Sequence, residues 1–292
     1  MSWYTLVDCE TLSVNLSDAS IRIVDARAVV GGERGAGRAA YETAHLPGAQ
    51  FVDLETDLSD HAIEGQGRHP WPSDADFAVL LQRLGITPDH QVVVYDADVG
   101  MYAARFWCML RLFGHAKVAV LDGGFARWMQ LGLPITSEIE TVERSELRHP
   151  GGFDHAKLFD HEDVAAHVES GGLLVDARAA ERFRGETEPL DKKAGHVPGA
   201  ANRPFMANIA DGVFKSKDEL FAEFHALLAG RTPSDMVAMC GSGVTACHHL
   251  LAMAHAGLEG AKLYKGSWSG WIASDERPVE TGESTYTGNL QA

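Results

Sequence analysis

Short β-branched apolar runs alternate along the chain with segments whose apolar residues recur at helical spacing, and they do so twice over. In the first half, Ile21–Asp25, Gln50–Val52, Val92–Asp96 and Val118–Leu121 predict strands, while Asp74–Leu84 and Tyr102–Phe113 predict helices. In the second half the strands fall at Leu173–Asp176, Ala201–Arg203, Met236–Cys240 and Lys262–Tyr264. The helices there fall at Asp160–Val168, Lys217–Leu228 and Val244–Ala256. Strand–helix alternation of this kind predicts an α/β fold, a parallel sheet flanked by helices, in each half. Between them, Glu138–His155 is polar, weakly patterned and contains Pro150-Gly151-Gly152. A linker over 141–155 then separates an N-terminal domain, 1–140, from a C-terminal domain, 156–292. The last dozen residues read as a loosely held Gly/Ser/Thr-rich tail.

The two halves also share words. Val24-Asp25-Ala26-Arg27 recurs as Val175-Asp176-Ala177-Arg178, and Ala44-His45-Leu46-Pro47-Gly48-Ala49 as Gly195-His196-Val197-Pro198-Gly199-Ala200, both 151 residues later. Val93-Val94-Tyr95-Asp96 aligns with Val237-Ala238-Met239-Cys240 at an offset of 144. Leu121-Asp122-Gly123-Gly124-Phe125 and Trp128 align with Tyr264-Lys265-Gly266-Ser267-Trp268 and Trp271 at 143. Four anchors in one order mean two copies of one domain; the period is too long for a solenoid unit.

Composition narrows the function. Of 292 residues, 45% are apolar and 23% charged, as in a packed globular protein. Lys and Arg number 25 against 41 Asp and Glu, a net charge of −16, which disfavours nucleic acid and anionic membrane as partners. Apolar stretches are far shorter than a membrane span needs. The start of the chain has no basic n-region, and Asp8 and Glu10 interrupt any apolar core there. Four cysteines, none in a C-x-x-C pair, are too few for a disulfide scaffold. These features together read as a soluble, cytoplasmic protein with reduced thiols.

The candidate chemistry lies at Cys240. It ends an apolar strand and precedes Gly241-Ser242-Gly243-Val244-Thr245, after which a helical pattern begins. In open parallel sheets, ligands bind at the carboxyl ends of strands. Two glycines in three residues let successive N–H groups turn inward, and a helix N-terminus adds positive potential where a thiolate or an anion would sit. Cysteine is equally at home as inert packing. That plain reading suits Cys108 and, within the following helix, Cys247, whose other reading is a resolving thiol. The first copy carries Asp96 at the matching position, so it lacks the nucleophile. His248 and His249 are adjacent and on a helix should not face a common point, so they are not read as a metal pair. Asp25–Arg27 and Asp176–Arg178, present in both copies, predict structural ion pairs. Trp268 and Trp271 should cover the sheet end near the loop.

Over roughly residues 5–280 the chain resembles the tandem rhodanese sulfurtransferases. The resemblance rests on the repeated Asp-Ala-Arg and Gly-His-x-Pro-Gly-Ala words, on Asp122-Gly123-Gly124-Phe125 and Gly266-Ser267-Trp268, and above all on Cys240-Gly241-Ser242-Gly243-Val244-Thr245-Ala246. It implies two rhodanese-like domains and a persulfide on Cys240. The loop is similar to that of enzymes using 3-mercaptopyruvate; the thiosulfate type carries basic residues after the cysteine, where Gly241 and Ser242 stand here. The resemblance further implies a relay of Ser242, His69 (in Arg68-His69-Pro70-Trp71-Pro72) and a carboxylate, Glu55, where an aspartate is usual. It makes Arg182 a carboxylate ligand and Gly241, Gly243, Val244 and Thr245 the substrate-binding loop. A second family arginine is missing, with Leu190 near its place. Lys192 and Lys193 beside it read as a solvated loop, or as substitute point charges. Read without the resemblance, His69 is a surface-loop residue beside a proline.

The reading is therefore an enzyme without metal or cofactor. It would move sulfur from a mercapto acid to a small thiol, a thioredoxin-like protein or cyanide. Thiosulfate transfer on the same scaffold and a non-catalytic rhodanese-like binding module stay open as alternatives. A Cys-x5-Arg phosphatase is a poor reading, because Ala246 stands where that motif needs its arginine.

Overall fold

The computed structural model of the chain describes residues 2–28, 35–142, 144 and 149–284. Part of the expected linker and most of the expected tail lie outside them. The described residues form two compact units. One comprises those of 1–60, 72–154 and 211–214, the other those of 61–71, 155–210 and 215–292. A short piece of the first sequence half, 61–71, thus belongs to the second unit.

The first unit holds strands β1 (Leu6–Val7), β2 (Ile21–Asp25), β3 (Gln50–Phe51), β4 (Gln91–Tyr95) and β5 (Val118–Leu121). They form one sheet in the order β1-β5-β4-β2-β3, parallel at every pairing. Helices α1 (Cys9–Ser13), α2 (Ala36–Thr43), α3 (Asp74–Arg83), α4 (Ala103–Leu112) and α5 (Gly124–Gln130) connect them. The central strands β4 and β5 are buried along their whole length, as strands covered on both faces must be, which is why they read as continuous apolar runs. Helix α3 starts where Ser73 caps the Asp76 N–H, and it buries Phe77, Ala78, Leu80 and Leu81 on one face. Phe77 packs edge-on against Phe106 of α4.

The second unit repeats the plan. Strands β6 (Leu158–Phe159), β7 (Leu173–Asp176), β8 (Ala201–Asn202), β9 (Met236–Met239) and β10 (Lys262–Tyr264) pair in parallel in the order β6-β10-β9-β7-β8. Helices α6 (His161–Glu169), α7 (Ala180–Phe183), α8 (Lys217–Leu228), α9 (Thr245–His255) and α10 (Ser267–Trp271) follow the same sequence of positions. Capping boxes start α6 (Asp160 with Asp163) and α8 (Ser216 with Glu219). Helix α9 is buried over most of its surface, consistent with a central helix.

The predicted strands Ile21–Asp25, Val118–Leu121, Leu173–Asp176 and Lys262–Tyr264 and the helix Lys217–Leu228 match residue for residue. The other predicted elements are present with ends shifted by a residue or so. Unpredicted are the edge strands β1 and β6, the two-residue strands Ile209–Ala210 and Val213–Phe214, and the short helices α1, α2, α5, α7 and α10. Helices of four to eight residues hold too little periodicity to register. Among the described residues no helix is long and apolar enough to cross a membrane.

Candidate functional site

In the second sheet the chain leaves β7 outward to β8, then returns to β9 and on to β10. The order therefore reverses between β7 and β9, and crevices at such reversals lie at the carboxyl ends of the strands. Two sequence motifs meet there, because Met239 at the end of β9 is in register with Asp176 at the end of β7.

Cys240 follows β9 and is buried. Its loop folds back so that the Gly243 N–H donates to Cys240 Sγ at 3.2 Å, and Gly243 takes φ +79°, open to glycine without strain. The backbone of Cys240 is fastened from the start of α10. Its N–H donates to Ser267 Oγ (3.0 Å), and its carbonyl accepts from the Trp268 N–H (2.9 Å). Ser267 holds φ +49°, a left-handed conformation costly for a residue with a Cβ. The equivalent residue of the first copy is Gly124, at φ +55°. Serine stands here where the first copy has glycine, and the hydroxyl, donating to Tyr264 O (3.0 Å) while accepting from the Cys240 N–H, compensates the strain.

The segment 61–71 closes on the second unit through contacts of several kinds. His161 Nε2–H donates to Gly65 O (3.0 Å), its Nδ1 accepts from Tyr264 OH (2.5 Å), and burial pushes the imidazole below its ordinary pKa, in keeping with a neutral ring. A Cβ on Gly67 would fall 2.6 Å from Gly266 O and from Ser269 Oγ, so only glycine lets the segment lie this close to α10. The Arg68 N–H donates to Ser269 Oγ at 3.0 Å. His69 then meets Ser242, Nδ1 to Oγ 2.7 Å, and both side chains are buried. The serine two residues from the thiol and the histidine expected of the relay are thus hydrogen-bonded.

Arginines line the other side of the loop. Arg178 is clamped by Asp176 through Nε and Nη2 (2.7–3.1 Å), donates to Gly195 O (2.7 Å) and lies 4.7 Å from the Trp268 ring centre. Burial pulls its pKa down, but Asp176, Glu188 and Cys240 outweigh this and hold it above its ordinary value. The first copy repeats the clamp with Arg27, Asp25, Ala44 O and the Phe125 ring, so the expected ion pairs are structural in both units. Arg182 projects from α7 to Glu188 (Nη2–Oε1 2.7 Å) and Asp191 (Nη2–Oδ2 3.2 Å). Burial pushes Glu188 up, but Arg182 and the N–H groups of Leu190 and Asp191 prevail and hold it below the usual carboxylate range. Asp191 also pairs with Arg68. A Cβ placed on Gly241 would lie 2.9 Å from Arg68 Nη2 and 3.6 Å from Arg182 Nη2. Both guanidinium groups therefore face the residue beside the thiol.

The remaining expected residues sort as follows. Val244 caps α9 and is buried; Thr245 opens that helix, half-buried. Glu55 lies in the first unit, in the turn after β3, where its N–H donates to Asp53 Oδ1. Leu190 is exposed, Lys192 is exposed, and Lys193 pairs with Asp275 (2.6 Å). Cys247 is buried and lies 3.3 Å from Gly243 O, and Cys108 is buried in α4. One expectation is corrected. His248 and His249 do meet a common point, because Asn208 Nδ2 lies 2.9 Å from one Nδ1 and 3.1 Å from the other. Asn208 sits in a short turn that spans the gap between their directions, and an amide NH2 has a proton for each. Among the described residues no His, Cys, Asp and Glu side chains gather as metal ligands would. Sequence reasoning missed Arg68, Asp191 and Ser267. Arg68 left one signal, a cation abutting the candidate histidine, and Ser267 another, its alignment with Gly124.

In the first copy the equivalent cradle is filled from within. Asp96 accepts from the N–H groups of Asp98 (3.2 Å), Gly100 (3.0 Å), Tyr102 (2.7 Å) and Ala103 (3.2 Å). A carboxylate there takes four amides, where in the second copy the Gly243 N–H turns to a sulfur.

Two parallel five-stranded sheets of one topology, one carrying a cysteine loop at its reversal point, define a doubled rhodanese-type fold. A family model described as a rhodanese-like domain matches residues 8–131 and again 160–274, and the chain belongs to that family. It is 43% identical over 97% of its length to a probable 3-mercaptopyruvate sulfurtransferase of Pseudomonas aeruginosa, all of which is covered. A putative thiosulfate sulfurtransferase of Mycobacterium tuberculosis is 42% identical, over 84% of this chain and 86% of the relative. Among solved structures, a 3-mercaptopyruvate sulfotransferase from Escherichia coli superposes with a TM-score of 0.77 at 34% identity, covering 92% of this chain and 100% of the other.

Proposed function

We propose that the protein is a sulfurtransferase that takes sulfur from 3-mercaptopyruvate and passes it on through a persulfide at Cys240. The observation that carries this reading is the placement of charge. The two residues after Cys240 bring no cation to the sulfur itself, whereas the Arg182 guanidinium stands across Gly241, a short distance away. Thiosulfate is a compact dianion and wants cations at the sulfur. In 3-mercaptopyruvate the charge is a carboxylate three bonds from the sulfur, and a guanidinium fork suits it.

In the proposed step the Cys240 thiolate attacks the substrate sulfur and the S–C bond breaks with its electron pair on carbon. The products are a persulfide and the enolate of pyruvate, which takes a proton to become pyruvate. The Ser242–His69 pair, 2.7 Å apart, is the proton path. An acceptor nucleophile then attacks the outer sulfur and restores the thiolate: a small thiol or a thioredoxin-like protein leaves as a persulfide, cyanide as thiocyanate. Glu55 is the proposed carboxylate of the relay, and Gly241, Gly243, Val244 and Thr245 the proposed cradle. The domain boundaries 1–140 and 156–292, the non-catalytic role of the first copy and a cytoplasmic site of action belong to the same reading; the free thiols of Cys9, Cys108, Cys240 and Cys247 support the last.

The test is cyanolysis with 3-mercaptopyruvate and thiosulfate side by side, on wild type and Cys240→Ser. Wild type should favour 3-mercaptopyruvate in kcat/KM and, treated with donor alone, gain the mass of one sulfur on the Cys240 peptide. The variant should do neither. A preference for thiosulfate, or added sulfur on Cys108 or Cys247, overturns the reading.

A further inference from the structure

Four positions at which the two copies differ gather under one segment. Val7 pairs with Leu121 as Phe159 pairs with Tyr264, so Leu121 and Tyr264 are equivalent residues. Asp8 and Asp160 come next as the N-caps of α1 and α6, which makes Cys9 and His161 equivalent. The match of Trp128 to Trp271 sets Ala126 and Arg127 against Ser269 and Gly270. Where the copy without a thiol loop has Cys9, Leu121, Ala126 and Arg127, the copy with one has His161, Tyr264, Ser269 and Gly270. We infer that His161 is a positioning residue for proton transfer: oriented by Tyr264, and with Ser269 and Gly270 beside it, it seats segment 61–71 so that His69 reaches Ser242. This rests on the proposed function, in which His69 carries the proton.

The segment has little with which to seat itself. Residues 61–65 are exposed, so it buries little apolar surface before Pro70. Gly65 and Gly67 loosen it further, both in the left-handed region at φ +75° and +88°. Fixing such a stretch costs backbone entropy that apolar contact does not offset here, and directed hydrogen bonds take over that task.

Each of the four residues supplies a part of the seat. His161 Nε2–H donates to Gly65 O at 3.0 Å, and its Nδ1 accepts from Tyr264 OH at 2.5 Å. Burial pushes the Tyr264 pKa up, so the hydroxyl stays a donor and holds the imidazole in the tautomer whose Nε2 carries the proton. A Cβ on Gly270 would lie 2.9 Å from His161 Cε1 and 3.3 Å from Gln66 C and Gly67 N. The side chain that Arg127 carries at the equivalent place would displace both the ring and the segment. Ser269 Oγ accepts the Arg68 N–H at 3.0 Å, a bond for which an alanine has no acceptor. The two bonds grip the segment on either side of Gly67. His69 follows directly, its Nδ1 2.7 Å from Ser242 Oγ. A displacement of about 1 Å at a reacting group can cost on the order of 100-fold in rate.

The experiment is steady-state sulfur transfer from 3-mercaptopyruvate to cyanide. Wild type, His161→Ala, His161→Gln, Ser269→Ala and His69→Ala are compared, together with His161→Ala and Ser269→Ala each combined with His69→Ala. Circular dichroism checks folding. His161→Ala should lower kcat about 10- to 30-fold, with KM within about two-fold of wild type. His161→Gln, whose amide N–H can serve Gly65 O, should recover part of the loss. Ser269→Ala should give a smaller fall of the same kind, about three-fold, and carries the test if His161→Ala does not fold. In the His69→Ala background either change should lower kcat by less than about two-fold, because the histidine being placed is gone. Equal falls in both backgrounds make the seat a structural prop. A rise in KM at constant kcat makes it part of substrate binding. A kcat close to wild type in every seat variant removes it from the mechanism. Each of these overturns the inference and leaves sulfur transfer through Cys240 standing. If His69→Ala keeps the wild-type kcat, or wild type takes no sulfur from 3-mercaptopyruvate, the proposed function fails at that point and the seat with it.

Discussion

Replacing Asp96 tests how the first unit is held together. Its carboxylate accepts four buried backbone N–H groups, two on each oxygen: Asp98 and Gly100 on Oδ1, Tyr102 and Ala103 on Oδ2. A hydrogen bond to a charged acceptor contributes about 1.5–3 kcal/mol net. Four would give far more than any single substitution costs, but two effects cut the sum. Burial drives the Asp96 pKa up despite the four donors, so the charge itself is expensive to keep there. Water entering the space left by a smaller side chain also recovers one or two of the bonds. A net loss of about 3 kcal/mol is expected for Asp96→Ala. Asp96→Asn is the sharper probe. Whichever way the amide turns, its NH2 faces two N–H donors, so the near-isosteric change should be no milder than alanine. Amide hydrogen exchange reads this locally: Gly100, Tyr102 and Ala103 should exchange roughly 100-fold faster. Thermal unfolding of the unit should shift down by on the order of 10 °C. If the asparagine variant keeps wild-type protection at these amides and melts within about 2 °C of wild type, the carboxylate does not organise the loop.

His69→Ala should lower kcat for 3-mercaptopyruvate on the order of 100-fold with little change in KM, as expected of a group that moves a proton; a rise in KM at constant kcat would make His69 a binding residue. Acidification should weaken the first unit through His115, which is buried beside His149 and pushed down to about 4, chiefly by burial. Its folded pKa lies below the unfolded value of 6.5, so the stability it contributes is present above pH 6.5 and is lost as pH falls toward 4, at most about 3 kcal/mol. Urea midpoints at pH 7, 5 and 4 should fall less steeply for His115→Gln than for wild type, and parallel slopes would refute the assignment.

The parts of the molecule legible in the sequence are those whose physics is local. Buried parallel strands such as Val92–Val94 and Met236–Met239 must be apolar throughout, so they declare themselves. The Cys240 loop does too, because its glycines, the strand before it and the helix after it are contiguous. The repeated Asp-Ala-Arg word already implied the ion pairs found at Asp25 and Asp176. Ser267 was illegible because nothing in a serine announces a left-handed backbone; only its alignment with Gly124 hints at one. Arg68 and Asp191 were illegible as a pair because 123 residues separate them and each alone resembles a solvated charge. The histidine pair misled for a related reason: helical geometry separates His248 from His249, and it takes Asn208, 40 residues away, to join them.

The short segment 61–71 gives this chain a history as well as a shape. It is encoded with the first copy yet folds as part of the second unit, and it carries His69 and Arg68. The first copy carries Asp96 where the second carries Cys240, so its own loop holds no thiol. A deletion reaching residue 69 would strip Ser242 of its histidine and Asp191 of one of its arginines. The downstream half on its own therefore lacks a piece of its unit, and moved into another protein it would leave behind the histidine and the arginine that meet its loop. The upstream repeat lends a few residues to the unit built on its twin.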